Sequence, residues 1–250
     1  MVFCPTIMRI LAVADDIDRT LYTASLARRV GHIDTIVSCG DLPFYYLEFL
    51  AGVLNAPTYY VFGNHGFELE HRADEVAIAH PRVGTNLDRQ VVNEQGILLA
   101  GLEGCMRYNN APRFQYTERE MWLRAGSFVP RLLINRLRHG HYLDILAVHA
   151  PPYGIHDLPD LCHTGFKSFL WLMQRFRPQF LLHGHVHTYN PRQVIVTRYR
   201  QTNVINVYPY RVIEIEPRRG PRTRRSWRHN TRVPGNPPAA RAGETHQRML

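Results

Sequence analysis

The sequence predicts a layered α/β fold, on three observations. Apolar runs of strand length alternate with segments of helical period through the first quarter of the chain. Acids, amides and imidazoles recur directly behind those runs, where α/β sheets carry their sites. The 250 residues are 45% hydrophobic, enough for a sizeable core in a single domain.

Residues 8–14 (MRILAVA) form a continuous apolar run and read as a strand buried on both faces, with residues 1–7 as an appended leader. Leu21, Ala24, Leu26 and Val30 have helical spacing, so residues 20–30 read as a helix stopped by Gly31. Residues 33–38 read as a strand ending at Cys39-Gly40-Asp41, 43–54 as a helix with Pro43 in its first turn, and 57–62 as a strand ending at Gly63-Asn64-His65. Shorter strands are expected at 81–83, 90–92 and 97–100, followed by a polar loop over 101–117. Helices are expected near 118–124 and 130–138, and a strand over 142–148 that ends at His149. Phe166, Phe169, Leu170, Met173 and Phe176 make one apolar stripe, so 166–176 reads as a helix packed on the core. Residues 179–182 lead into His183-Gly184-His185-Val186-His187, and strands over 194–197, 203–207 and 212–216 close the domain. His139-Gly140-His141 precedes a strand instead of following one and reads as solvated loop.

The formal charge of +9 belongs to one end. Residues 217–250 hold nine Arg against one Glu, a net of +8, which leaves the body at +1. Composition therefore divides the chain into a domain over 1–216 and an Arg- and Pro-rich tail over 217–250. The tail cannot bury enough apolar surface to offset its ordering entropy and is expected to be disordered. Cys4, Cys39, Cys105 and Cys162 form no C-x-x-C pair, so reduced thiols are expected. No signal peptide pattern opens the chain, and no apolar stretch reaches the roughly 18 residues of a membrane span. A soluble cytoplasmic protein with no membrane partner is expected.

The polar groups behind the apolar runs are Asp15, Asp41, Asn64, His149, His185 and His187. This oxygen and nitrogen set suits Mn, Fe, Zn or Mg and differs from an all-thiolate structural site. Six donors exceed the needs of one catalytic ion; a pair of ions uses them, with a shared carboxylate, to clamp both oxygens of an in-line phosphoryl displacement. Alternation along an extended segment would put His183, His185 and His187 on one side. Asp41 as a mere cap of the following helix is the competing reading. Arg107 and Tyr108, in the 101–117 loop beside Asn109, could pair with a phosphate oxygen and stack on a base or aryl group. His156, Asp157, Asp160 and His163 could hold the ligands in position.

In order and spacing, Gly40-Asp41, Gly63-Asn64-His65, His149 and Gly184-His185-Val186-His187 resemble the motifs of the calcineurin-like metallophosphoesterase superfamily. The resemblance implies a four-layer α-β-β-α sandwich of two mixed sheets with two metal ions above the strand ends. It implies Asp41 as the bridge, Asp15 and His187 on the first ion, and Asn64, His149 and His185 on the second. His65 would position the phosphate or protonate the leaving oxygen. The first motif, D-x-H, departs from the pattern. With Asp15 at its acid the imidazole falls on Ile17, and sliding by one pairs Asp16 with Asp18. Asp18 is the candidate substitute ligand, and a carboxylate there favours a harder ion such as Mn or Mg.

The expectation is a two-metal phosphoric ester hydrolase, with Mn favoured, that attacks a phosphodiester or small phosphorylated compound with a metal-bound hydroxide. The alternatives are a non-catalytic scaffold that keeps the fold, motivated by Ile17, and a nuclease whose basic tail holds nucleic acid.

Overall fold

The computed structural model describes residues 7–65, 70–71, 77–78, 80–109, 113–190 and 192–218. Nearly all of the expected leader and of the Arg-rich tail lies outside the described residues.

The elements run β1 (Met8–Val13), α1 (Leu26–Val30), β2 (Thr35–Ser38), α2 (Phe44–Leu54), β3 (Thr58–Tyr60), β4 (Glu70–His71), β5 (Ala77–Ile78), β6 (Thr85–Asn86), β7 (Val91–Glu94) and β8 (Ile97–Leu102). They continue with β9 (Cys105–Met106), β10 (Gln115–Tyr116), α3 (Glu118–Gly126), α4 (Val129–His139), β11 (Ile145–Val148), α5 (Lys167–Phe176), β12 (Phe180–His183), β13 (Val196–Tyr199), β14 (Thr202–Asn206) and β15 (Tyr210–Ile215).

Two mixed sheets dominate. One has the order β15-β1-β2-β3-β6, parallel except for β15; the other has β13-β14-β12-β11-β8-β7, parallel in its middle with antiparallel edges. Alternation along the central strands explains the layers. Ile10 and Ala12 of β1 face Ile145 and Ala147 of β11 in the core between the sheets. Leu11 and Val13 point outward beneath α1 and α2, while Leu146 and Val148 pack under α3, α4 and α5 with Met121, Phe128 and Phe169. Both faces of each sheet are covered, which is why these strands read as unbroken apolar runs. The result is the four-layer α-β-β-α sandwich. Its parallel strands bring Asp15, Asp41 and Asn64 from one sheet to meet His149 and His185 from the other. The join is direct: His149 Nδ1 lies 2.8 Å from the Cys39 carbonyl, and His185 N–H donates to the Asp15 carboxylate at 3.0 Å.

The observed elements differ from expectation in several places. The first helix is short because Asp18 captures the chain before it: its carboxylate accepts from Thr20 N–H at 2.7 Å and its carbonyl from Leu21 and Tyr22. The strand expected at 81–83 lies instead at β6, since Pro81 has no amide for a ladder and Gly84 turns the chain at φ 94°. The 101–117 loop contains the parallel pair β9 and β10. His141 is buried rather than solvated, with Nε2 at 2.8 Å from the carboxylate of Asp144.

Candidate active site

Three of the expected ligands have left-handed backbone conformations that non-glycine residues rarely adopt: Asp15 at φ 67°, Asp41 at φ 55° and His185 at φ 68°. Such turns directly behind strands aim a side chain back over the sheet edge and persist where surrounding contacts enforce them. Glycines make room for the carboxylates. A Cβ on Gly63 would stand 2.1 Å from Asp41 Oδ1, and one on Gly184 2.4 Å from Asp15 Oδ2.

Asp15, Asp41, Asn64, His65, His185 and His187 line one cavity of about 630 Å³. His149 lies behind Asp41 and Asn64, fully buried, with Nδ1 2.8 Å from the Cys39 carbonyl. That contact leaves Nε2 facing Asn64 Oδ1 at 3.0 Å and Asp41 Oδ2 at 3.2 Å. Donor atoms of Asp15, Asp41 and His149 all lie within 4.8 Å of one another, a grouping able to hold a metal ion. Asp41 Oδ1 accepts from His65 N–H at 2.9 Å, and both oxygens of Asp15 accept from His185 N–H at 3.0 Å.

The electrostatics are those of a crowded acid and base cluster. Burial pushes the Asp15 carboxyl up to about 7, with the Asp41 charge adding to it and His149 opposing it. Burial also works against ionised Asp41, yet His149 and His65 outweigh it and hold that carboxyl below its ordinary value. For His149, burial disfavours the imidazolium, but Asp41 and Asp15 prevail and raise it to about 9. Burial among other imidazoles pushes His185 down to about 3, so it is neutral and offers a lone pair.

Not every expected residue reaches the cavity. Asp18 is absent from its lining, its Oδ1 held by the Thr20 amide and hydroxyl at 2.7 and 2.6 Å. Ile17 packs against the core beneath α1 and α2. Arg107 turns to Glu120 at 3.0 Å and to the Gln115 carbonyl at 3.2 Å, away from the cavity. Tyr108 is also absent from the lining, but it meets one of the lining residues, its hydroxyl accepting from Asn64 Nδ2 at 3.4 Å. His183 does not share a side with His185 and His187, because the φ of His185 breaks the alternation. It points instead at His156, with the two rings 2.9 Å apart at their nitrogens, and His156 continues to the Thr197 hydroxyl at 2.8 Å. Asp157 closes its own loop through Gly154 and Gly165 amides. Asp160 holds His163 at 2.8 Å, and the His163 ring lies 4.9 Å from that of His185.

Sequence reasoning missed several neighbours. His187 stacks on Tyr208 at 4.6 Å and bonds Tyr189 at 2.7 Å, while Asp16 accepts from the Tyr208 hydroxyl. Cys162 offers its carbonyl to His185 Nε2 at 2.9 Å. None of these carries a spacing signal, because each comes from a loop whose path the sequence does not state.

A two-sheet sandwich that gathers carboxylates, an amide and imidazoles at its strand ends defines the class of metallophosphoesterase-type proteins. The profile of the calcineurin-like phosphoesterases matches residues 8–189, and the chain belongs to that family, whose members are in general metal-dependent phosphoesterases. The fold is similar to the crystal structure of TT1561 of Thermus thermophilus, with TM-score 0.55 and 16% identity over 85% of this chain and 100% of that one. A second solved structure gives TM-score 0.54 and 13% identity over the same shares. Vacuolar protein sorting 29 from Cryptosporidium parvum gives TM-score 0.40 and 14% identity over 84% of this chain and 86% of that one. No curated protein matches the sequence.

Proposed function

We propose that the chain hydrolyses a phosphodiester or small phosphorylated compound at two divalent ions held by Asp15, Asp41, Asn64, His149, His185 and His187. The observation that carries this reading is the convergence of Asp41 Oδ2, Asn64 Oδ1 and His149 Nε2, with an Asp15 carboxylate oxygen within 4.8 Å of the donor atoms of Asp41 and His149. The donor set fits a cation: two desolvated carboxylates repel each other, and a positive charge between them relieves both the repulsion and the burial. Bound ions supply Lewis acidity and raise the acidity of water at the reacting phosphorus.

The remaining work falls to this chain's own groups. Asp41 sits between the two sheets, with one oxygen fixed by the His65 amide and the other on His149, and is suited to serve both ions. Asn64 is neutral and orients by its carbonyl oxygen while its amide reaches Tyr108. His65, exposed at the cavity wall, is the group able to meet a phosphate oxygen or give a proton to the leaving oxygen. The first ion position, around Asp15 and His187, is the weaker, because Ile17 supplies no donor and Asp18 serves Thr20. With Asp18 engaged elsewhere, the oxygen of Asp15 and the imidazole of His187 suit Mn²⁺, Fe²⁺ or Zn²⁺ alike, and Mn²⁺ is the ion proposed.

The test is hydrolysis of a chromogenic aryl phosphodiester with Mn²⁺, run beside His65→Ala. Turnover in the variant is expected to fall by about 10²–10⁴ with metal content unchanged, the range of a lost general acid. Equal turnover in both proteins removes His65 from the reaction. If neither the diester nor the matching monoester is hydrolysed with Mn²⁺, Zn²⁺ or Mg²⁺, the scaffold reading replaces this one.

A further inference from the structure

Behind the carboxylates lies a second cluster of metal-competent donors, of different chemistry. Cys105 of β9 and Cys162 of the loop after β11 are free thiols far apart in sequence, yet the fold brings them together with His185. Ligand atoms of all three lie within 4.8 Å of one another, and Cys162 Sγ stands 3.8 Å from His185 Nε2. Cys105 is fully buried, whereas Cys162 lines the cavity, so the group has a route in from solvent.

We propose that Cys105, Cys162 and His185 form a binding site for a thiophilic divalent ion, Zn²⁺ in particular, distinct from the oxygen-rich set around Asp41. The class of ion follows from the donors. Two thiolates and one imidazole prefer Zn²⁺, Cd²⁺ or Co²⁺ over Mn²⁺ and Mg²⁺, and three protein ligands leave the fourth tetrahedral position to water. Binding forms two S–metal bonds and one N–metal bond and releases the two thiol protons to solvent. His185 sets a further condition. Its Nε2–H donates to the Cys162 carbonyl in the metal-free protein. A neutral imidazole has a single lone pair. When Nε2 takes the thiophilic ion, the ring proton moves to Nδ1, and His185 is lost to any ion in the oxygen-rich cavity. The site therefore acts against the hydrolytic metal pair, a consequence that rests on the proposed function, whereas the site itself does not.

Titration of the reduced full-length protein with Co²⁺ tests the proposal without any substrate. Thiolate-to-cobalt charge-transfer absorption in the near ultraviolet is expected to saturate at one thiolate-bound ion per chain and to vanish on adding Zn²⁺. Cys105→Ser and Cys162→Ser should each lose the band, and Asp41→Asn should keep it. Cys162 is only half-buried, so its variant reports even if the buried Cys105 substitution disturbs folding. No band in the folded wild type, or a band that survives Cys162→Ser, overturns the proposal. Loss of the band in Asp41→Asn would assign the cobalt to the hydrolytic set and overturn it equally.

Discussion

At the scale of single residues, the cavity holds protons that an ion bound as proposed would have to expel. Asp15 at about 7 and His149 at about 9 both hold protons more tightly folded than unfolded. The stability they lend the metal-free fold is complete below the unfolded values of 3.8 and 6.5 and is lost as pH rises through about 7 and about 9. A ligating ion needs both groups deprotonated, so its affinity must move the opposite way. Between pH 6 and 7 the affinity for Mn²⁺ is expected to rise by roughly tenfold per proton released, read by calorimetry in buffers of different ionisation enthalpy. An affinity that is flat over this interval would show that these two groups do not ligate. The same site separates Asp15 from Asp18. Asp15→Ala should lower Mn²⁺ content, while Asp18→Ala should leave it unchanged and loosen only the turn at Thr20. Loss of metal in the Asp18 variant would return that carboxylate to the site. Spacing alone does not separate these acids, since they differ by three positions in one loop. The distinction lies in which amide each carboxylate meets.

At the scale of elements, strands buried on both faces were the most legible, because their apolar runs leave few other readings. The ends of elements were less so. Thr20 has a suitable helical period behind it, but a local side-chain bond to Asp18 outcompetes the first turn, and period carries no information about that competition. His141 was misread for a related reason: its partner, Asp144, is buried at the start of β11, and burial there depends on the neighbouring strand β8. Asp144 ties the starts of β8, β11 and β12 together. It accepts from Leu98 N–H at 2.9 Å, His141 at 2.8 Å and Gln179 at 3.0 Å, and pairs with Arg218 at 3.4 Å. Asp144→Ala strands all four partners, one of them charged, and should cost about 3–5 kcal/mol. For a chain of this size that is a fall of roughly 10 °C in thermal midpoint, measurable by calorimetry. A shift within about 2 °C would mean that water replaces the carboxylate at no cost.

At the scale of the whole molecule, the two ends of the parallel strands have opposite characters. The carboxyl ends of β11 and β12 carry the cavity of the proposed chemistry. Their amino ends carry Asp144, and around Arg218 lies a separate cleft of about 390 Å³ whose wall includes Arg136, Arg175 and Arg177. Among the described residues these three guanidiniums have no carboxylate partner within salt-bridge distance. Order along the chain made the cavity end readable, since each motif follows its own strand. The basic cleft was not readable, because its arginines come from α4, the end of α5 and the segment after the last strand, with no shared spacing. The Arg-rich residues 219–250 follow Arg218 in the sequence, and the cleft beside Arg218 is itself basic. A role in holding nucleic acid would then be separable from hydrolysis. Deleting residues 219–250 while keeping Arg218 to pair with Asp144 should weaken binding of a single-stranded oligonucleotide. Its salt dependence should flatten in proportion to the number of phosphates that the tail neutralises. Turnover of a small aryl diester should be unaffected, since every residue of the proposed hydrolytic set lies before residue 190. Oligonucleotide affinity that survives the deletion with the same salt slope would rule out the tail as the holding element, and a fall in small-diester turnover would show that it acts on the cavity instead.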